Sequence, residues 1–124
     1  TYKNFQANVE SIKKNFLKFL NKEKNKNKKF AAYGAAAKGN TFINFLKINS
    51  SQIKYIVDKN PFKRGKYLPG SKIKVKSENF LKKNKPDYIL ILPWNLKKEI
   101  MEQLSYVKKW KAKFITAIPS IKIF

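Results

Sequence analysis

The chain has 124 residues and carries 29 Lys plus Arg against 7 Asp plus Glu, a formal charge of +22, with neither His nor Cys. One domain fits that length, and 43% apolar residues with 15% aromatics supply a real core, so charge alone does not place it among disordered chains. Without Cys and His there is no disulfide, thiolate nucleophile, thiol or imidazole metal ligand, or imidazole acid–base catalyst, so no metal site is expected.

Phe5, Val9, Ile12, Phe16 and Leu20 fall at helical spacing, predicting an amphipathic helix over about residues 4 to 24 with a lysine-rich outer face. The polar tract Asn21 to Lys29 ends it as a solvated connector. Phe30-Ala31-Ala32-Tyr33 reads as a short buried strand stopped by Gly34, and Thr41 to Lys47 as a second helix. A strand at Ile53 to Val57 ends at Asp58. A punctuated stretch follows in which Pro69-Gly70 suits the centre of a type II turn. Lys72 to Val75 alternates like an edge strand, and Ser77 is placed to cap a brief helix reaching about Lys83.

Tyr88 to Leu92 is the clearest strand, continuous and apolar enough to be central and buried on both faces. Pro93 closes it. Leu96, Ile100, Leu104 and Val107 define a helix from about Leu96 to Lys109, and Lys113 to Ile118 a last strand before Pro119. This alternation predicts a mostly parallel sheet with right-handed crossovers and helices on both faces, an α/β three-layer sandwich with an additional N-terminal helix. Residues 1–27 are the helix and connector, and 28–124 the sandwich, in one compact unit with no internal repeat. No apolar run approaches the roughly 18 residues of a membrane span and no segment resembles a signal peptide, so the expected location is cytoplasmic. The chain begins at Thr1 rather than Met, which suggests processing or a piece of something longer.

A charge of +22 ordinarily suggests nucleic acid or an anionic membrane surface. Here Arg64 is the only arginine, and lysine is scattered through every segment with Asn, Ile and Phe, the residue set that an AT-rich genome favours. Base readout and bidentate phosphate gripping favour guanidinium over ammonium. The expectation is therefore diffuse charge, with no specific nucleic acid and no membrane as partner.

Four constellations carry functional possibilities. Tyr33-Gly34-Ala35-Ala36-Ala37-Lys38-Gly39-Asn40-Thr41 joins a strand to a helix, where small residues admit a ligand and a helix N-terminus favours an anion. It is not a P-loop, because Asn40 stands where the phosphate-gripping lysine belongs. Nor is it G-x-G-x-x-G, because Ala36 replaces the second glycine. A generic phosphate or diphosphate cradle and a tight packing turn both remain open. Asp58 at a strand end can meet a hydroxyl-bearing ligand or serve a turn. Lys59, Lys63, Arg64 and Lys66 on the loop to Ser71 can wrap an anion or simply face solvent. Trp94 can be a stacking wall or a core lid, and Asn95 a ligand contact or a helix cap.

Taken in order, Ala32 to Thr41, Val57-Asp58-Lys59-Asn60-Pro61, Lys63 to Ser71 and Leu92-Pro93-Trp94-Asn95 resemble the C-terminal domain of S-adenosylmethionine-dependent C-methyltransferases acting on nucleotide-linked deoxysugars. The resemblance covers roughly Lys28 to Phe124. It implies a Rossmann-like domain that helps enclose a nucleotide-sugar, with the zinc and the methyl donor held in upstream domains of the same chain and no cofactor here. The implied chemistry is deprotonation beside a keto group and attack of the enolate on a sulfonium methyl. It further implies substrate-side roles for Tyr33, Gly34, Ala35, Lys38, Gly39, Asn40, Asp58, Trp94 and Asn95. No residue is assigned as catalytic, and the isolated chain is expected to be inactive. A basic nucleic-acid-binding module and a purely structural interaction domain are the alternatives.

Overall fold

The computed structural model describes residues 2–24, 26–35, 42–60, 65–117 and 121–124. In chain order the elements are α1 (Tyr2–Lys24), β1 (Phe30–Tyr33), a short helix α2 at residues 42–45, β2 (Tyr55–Val57), β3 (Lys74–Lys76) and α3 (Glu78–Asn84). Then come β4 (Tyr88–Ile91), a 3₁₀ turn at Trp94–Leu96, α4 (Lys97–Gln103), a 3₁₀ segment at Ser105–Trp110, β5 (Lys113–Thr116) and β6 (Lys122–Ile123).

The six strands form one sheet in the order β3-β2-β1-β4-β5-β6. The pairs among β1 to β5 are parallel, and β6 joins β5 antiparallel. β1 and β4 occupy the middle, registered from Phe30 opposite Tyr88 to Tyr33 opposite Ile91. The fold is thus a Rossmann-like α/β sandwich with a mostly parallel sheet and an N-terminal helix.

Alternate residues of a strand leave on opposite faces, so the sheet sorts its side chains into two cores. Phe30, Ala32, Ile56, Leu90 and Ile115 meet Phe16 and Leu20 of α1 and Ile43 and Leu46 in and after α2. Ala31, Tyr33, Tyr55, Val57, Ile89, Ile91 and Phe114 meet Leu81 of α3, Ile100 of α4, Leu104 and Val107. Lys22 and Lys24 in the last turn of α1 complement the helix dipole. The buried Glu23 carboxylate accepts a 3.2 Å hydrogen bond from the Tyr88 hydroxyl, fixing α1 to the central strand.

Ser77 caps α3, its Oγ accepting from the Phe80 N–H at 3.3 Å. Gly70 takes φ +86° after Pro69, and residues 65–68 return along the outer edge of β3, with Val75 N–H donating to Lys66 O at 2.8 Å. That covers an edge otherwise open to another strand.

Two elements differ from the sequence reading. The helix expected over Leu96 to Lys109 divides: α4 ends at Gln103, and a 3₁₀ segment follows. Leu104, Val107 and Trp110 are spaced by three, and a 3₁₀ helix aligns residues i and i+3. That geometry buries Leu104 and Val107 and lets Trp110 Nε1 donate to Pro86 O at 2.9 Å. The two-residue β6 has too short an alternation to announce itself. Ile118 and Pro119 lie outside the described residues.

Three helical segments are followed by a left-handed lysine. Lys47, Lys85 and Lys111 follow α2, α3 and the 3₁₀ segment with φ of 57°, 51° and 66°, the left-handed conformation usually given to glycine. Lys85 N–H still donates to Leu81 O at 3.0 Å and Lys111 N–H to Lys108 O at 3.0 Å. A left-handed L-residue costs about 1–2 kcal/mol, offset in part by the greater unfolded freedom of glycine. Lys85→Gly and Lys111→Gly should therefore each raise unfolding free energy by about 0.5–1 kcal/mol, read as a higher urea midpoint at unchanged m-value.

Candidate functional site

Parallel strands bring their carboxyl ends together, and the strand order reverses between β1 and β4, where open α/β sheets hold ligands. The loops leaving these two strands touch there. Gly34 N–H donates to Val57 O at 2.9 Å, and Leu92 N–H to Tyr33 O at 3.1 Å. Gly34 has φ +101°, and a Cβ at this position would lie 2.6 Å from Pro93 Cδ. The residue is thus required by backbone conformation and by the close approach of the Pro93 ring.

Asp58, one residue beyond β2, fixes the neighbouring loop. Its Oδ2 accepts the Ala35 N–H and its Oδ1 the Asn60 N–H, each at 2.8 Å. A carboxylate holding two loop amides is an organiser of the crevice before it is anything else. Trp94 and Asn95 stand exposed on the 3₁₀ turn after β4. Asn95 does not cap α4, whose N-cap is Leu96 without a side-chain hydrogen bond. The structure therefore gathers Tyr33, Gly34, Ala35, Asp58, Trp94 and Asn95 at one end of the sheet. Lys38, Gly39 and Asn40, with Ala36, Ala37 and Thr41, lie outside the described residues, as do Lys63 and Arg64 of the basic loop. Pro69 of that loop meets α2, its carbonyl accepting from Asn44 Nδ2 at 3.0 Å.

Beside the crevice lies a polar network that sequence reasoning missed. Gln103 Nε2 donates to Tyr33 Oη at 2.9 Å and to Glu78 Oε2 at 3.0 Å, while the Tyr106 hydroxyl donates to Glu78 Oε1 at 2.9 Å. Glu78 accepts only, so the Gln103 amide must turn its NH₂ toward it. The network ties the end of β1 to α3 and α4. Its one sequence clue is a tyrosine closing an otherwise apolar strand, since a buried phenol needs a partner; that partner lies 70 positions away.

Burial raises the Tyr33 phenol above its ordinary value; the Gln103 N–H opposes this, and the Glu78 and Asp58 carboxylates reinforce it. Burial, then the hydrogen bond to Glu78, raises Tyr106 as well.

Among the described residues no group of three His, Cys, Asp or Glu side chains is placed to hold a metal. No helix there is long and apolar enough to cross a membrane. Exposed lysines occur on α1, in the connector, before β2, on α3 and α4, in the 3₁₀ segment and on β6.

An open parallel sheet with its loops converging at a strand-order reversal defines a Rossmann-like domain. The chain belongs to the C-methyltransferase C-terminal domain family, whose model matches residues 1–119, α1 included. It is also 28% identical over 122 residues to the C-methyltransferase NovU of Streptomyces niveus. That alignment takes in 98% of this chain and 29% of the relative, so the chain spans under a third of that protein's length.

Two predictions follow from the geometry. Gly34→Ala should lower stability by about 2–4 kcal/mol, because neither the φ nor the Pro93 ring can yield. Gly70→Ala should lose less, about 1–2 kcal/mol, because the Asn44 amide that its Cβ meets is the end of a side chain and can swing aside at the cost of its hydrogen bond to Pro69 O. Urea unfolding of the pair separates the two effects.

For the phenols, the fold favours the protonated form. Their contribution is complete below the unfolded value near pH ~10 and declines as pH rises from there through the raised folded values. Tyr106→Phe should flatten the loss of stability between about pH 9.5 and 11, measured against the native chain.

Proposed function

We propose that this chain is the substrate-side domain of a C-methyltransferase and that its carboxyl-end crevice holds a nucleotide-linked sugar. The observation that carries the reading is the strand-order reversal itself. Gly34 closes against Pro93 there, while Trp94 and Asn95, the latter with no hydrogen bond among the described residues, stand exposed at the mouth. Trp94 offers an aromatic face to a base or sugar, and Asn95 a donor and an acceptor. Lys38 and Asn40, on the segment between β1 and α2, supply the charge and amide suited to a diphosphate.

Asp58 acts through the loop it holds, keeping the Ala35 amide fixed so that the crevice is formed before the ligand arrives. With both oxygens on backbone amides it is a poor partner for the ribose of a cofactor. S-adenosylmethionine supplies an electrophilic methyl group, and its site, the zinc and the catalytic base belong to upstream parts of the protein. This chain then binds and orients the substrate and has no methyl transfer of its own.

The two indole N–H resonances provide the test. On titration with a nucleoside-diphosphate sugar the Trp94 signal should shift and saturate. The Trp110 signal, held by Pro86, should stay in place. Trp94→Ala should weaken binding about tenfold, within the range of stacking contacts removed by alanine. A folded chain whose Trp94 signal ignores millimolar ligand would overturn the reading.

A further inference from the structure

A second concave site lies on the β3 side of the sheet, beneath α3. It is a cleft of about 390 Å³ lined by Lys29, Lys54, Tyr55, Lys76, Phe80 and Asn84. Lys29 and Lys54 stand immediately before β1 and β2, at the amino ends of the strands and away from the carboxyl-end crevice.

The apolar wall is made by two rings, Tyr55 and Phe80, set edge to face with centroids 4.8 Å apart. Tyr55 is held rigidly, because its hydroxyl donates to Asn84 Oδ1 at 2.9 Å from a buried position in β2. Phe80 is exposed, and Lys76 Nζ sits 4.7 Å from its ring centre. The polar side chains left to the rim are mainly donors, with Lys29 Nζ also reaching the Asn84 carbonyl at 3.4 Å. Lys29, Lys54 and Lys76 make no ion pair among the described residues, and the Asn84 amide hydrogens have no protein acceptor there. The Asp87 carboxylate does not line the cleft and accepts the Lys29 backbone N–H at 2.7 Å.

We propose that this cleft binds a small anion built on a flat ring, an aryl phosphate or carboxylate. Its ring lies against Tyr55 and Phe80 and its charge meets the three ammonium groups. The volume falls within the range of small-molecule sites, and an apolar wall with a few convergent polar groups is their usual construction. It accommodates a ring and its substituent rather than an extended polymer. Three lysines on long stems can reach one anionic group without leaving the rim. The occupant is distinct from the ligand of the carboxyl-end crevice, so either site can fail experimentally while the other stands.

Because lysine is abundant everywhere in this chain, the experiment holds net charge constant. The native chain is titrated with phenyl phosphate, phenol and inorganic phosphate while backbone and ring NMR signals are followed. Phenyl phosphate should produce saturable shifts at Tyr55, Phe80 and Asn84, larger than either fragment produces. The double variant Lys54→Gln/Lys76→Gln should weaken that binding about tenfold. Lys14→Gln/Lys18→Gln, with the same net charge but changed on exposed α1 positions, should leave it unchanged. Equal weakening in both doubles, equal shifts with inorganic phosphate alone, or a response confined to Trp94 and Asn95 would each overturn the proposal.

Discussion

The parallel pairing of β1 with β4 is the constraint from which the rest of the molecule follows. Four residues of each strand are in register, and one chain direction through both puts Gly34 and Pro93 side by side at the same end. The pair also decides what lies above and below. Phe30 stacks on Tyr88 at 5.0 Å, and Phe19 of α1 meets both rings edge-on. A one-residue slip would exchange the two faces, sending Tyr33 away from Gln103 and Phe30 away from α1. The crevice therefore depends on packing some distance below it.

Much of this architecture was legible from residue pattern. The continuous Tyr88 to Leu92 run identified the centre, and strand–helix alternation identified a parallel sheet. Ser77 announced its helix by cap chemistry. What stayed hidden was of two kinds. Helix ends were obscured because Lys85 and Lys111 occupy conformations in which a reader expects glycine. The division of the Leu96 to Lys109 segment was obscured because Ile100, Leu104 and Val107 satisfy helical spacing while Leu104, Val107 and Trp110 satisfy spacing by three.

The site was legible as a set of loops, less so as a set of contacts. Gly34, Asp58 and Trp94 stood out because each follows a strand end, and chain order alone brings strand ends together in a parallel sheet. The partners of Asp58 could not be read, since two backbone amides leave no side-chain signature. The Glu78, Gln103, Tyr33 and Tyr106 network joins residues from four separate elements, and no local spacing relates them.

The structure also shows how four of the seven carboxylates of this lysine-rich chain are used. Glu23, Asp58, Glu78 and Asp87 each accept hydrogen bonds from a phenol, an amide side chain or the backbone, and the one ion pair among the described residues joins Lys26 to Glu23 at 3.6 Å. These four serve chiefly as acceptors at junctions rather than as counter-charges. That gives codon drift an uneven reach. One base change turns a glutamate codon into lysine, and on the outer face of α1 or α4 such a change adds one more cation to many. At Glu78 the same change sets an ammonium group against the Gln103 amide and the Tyr106 hydroxyl, leaving donors facing donors. Glu23, Asp58, Glu78 and Asp87 thus mark joints of the fold at which a carboxylate cannot be exchanged for a cation without loss.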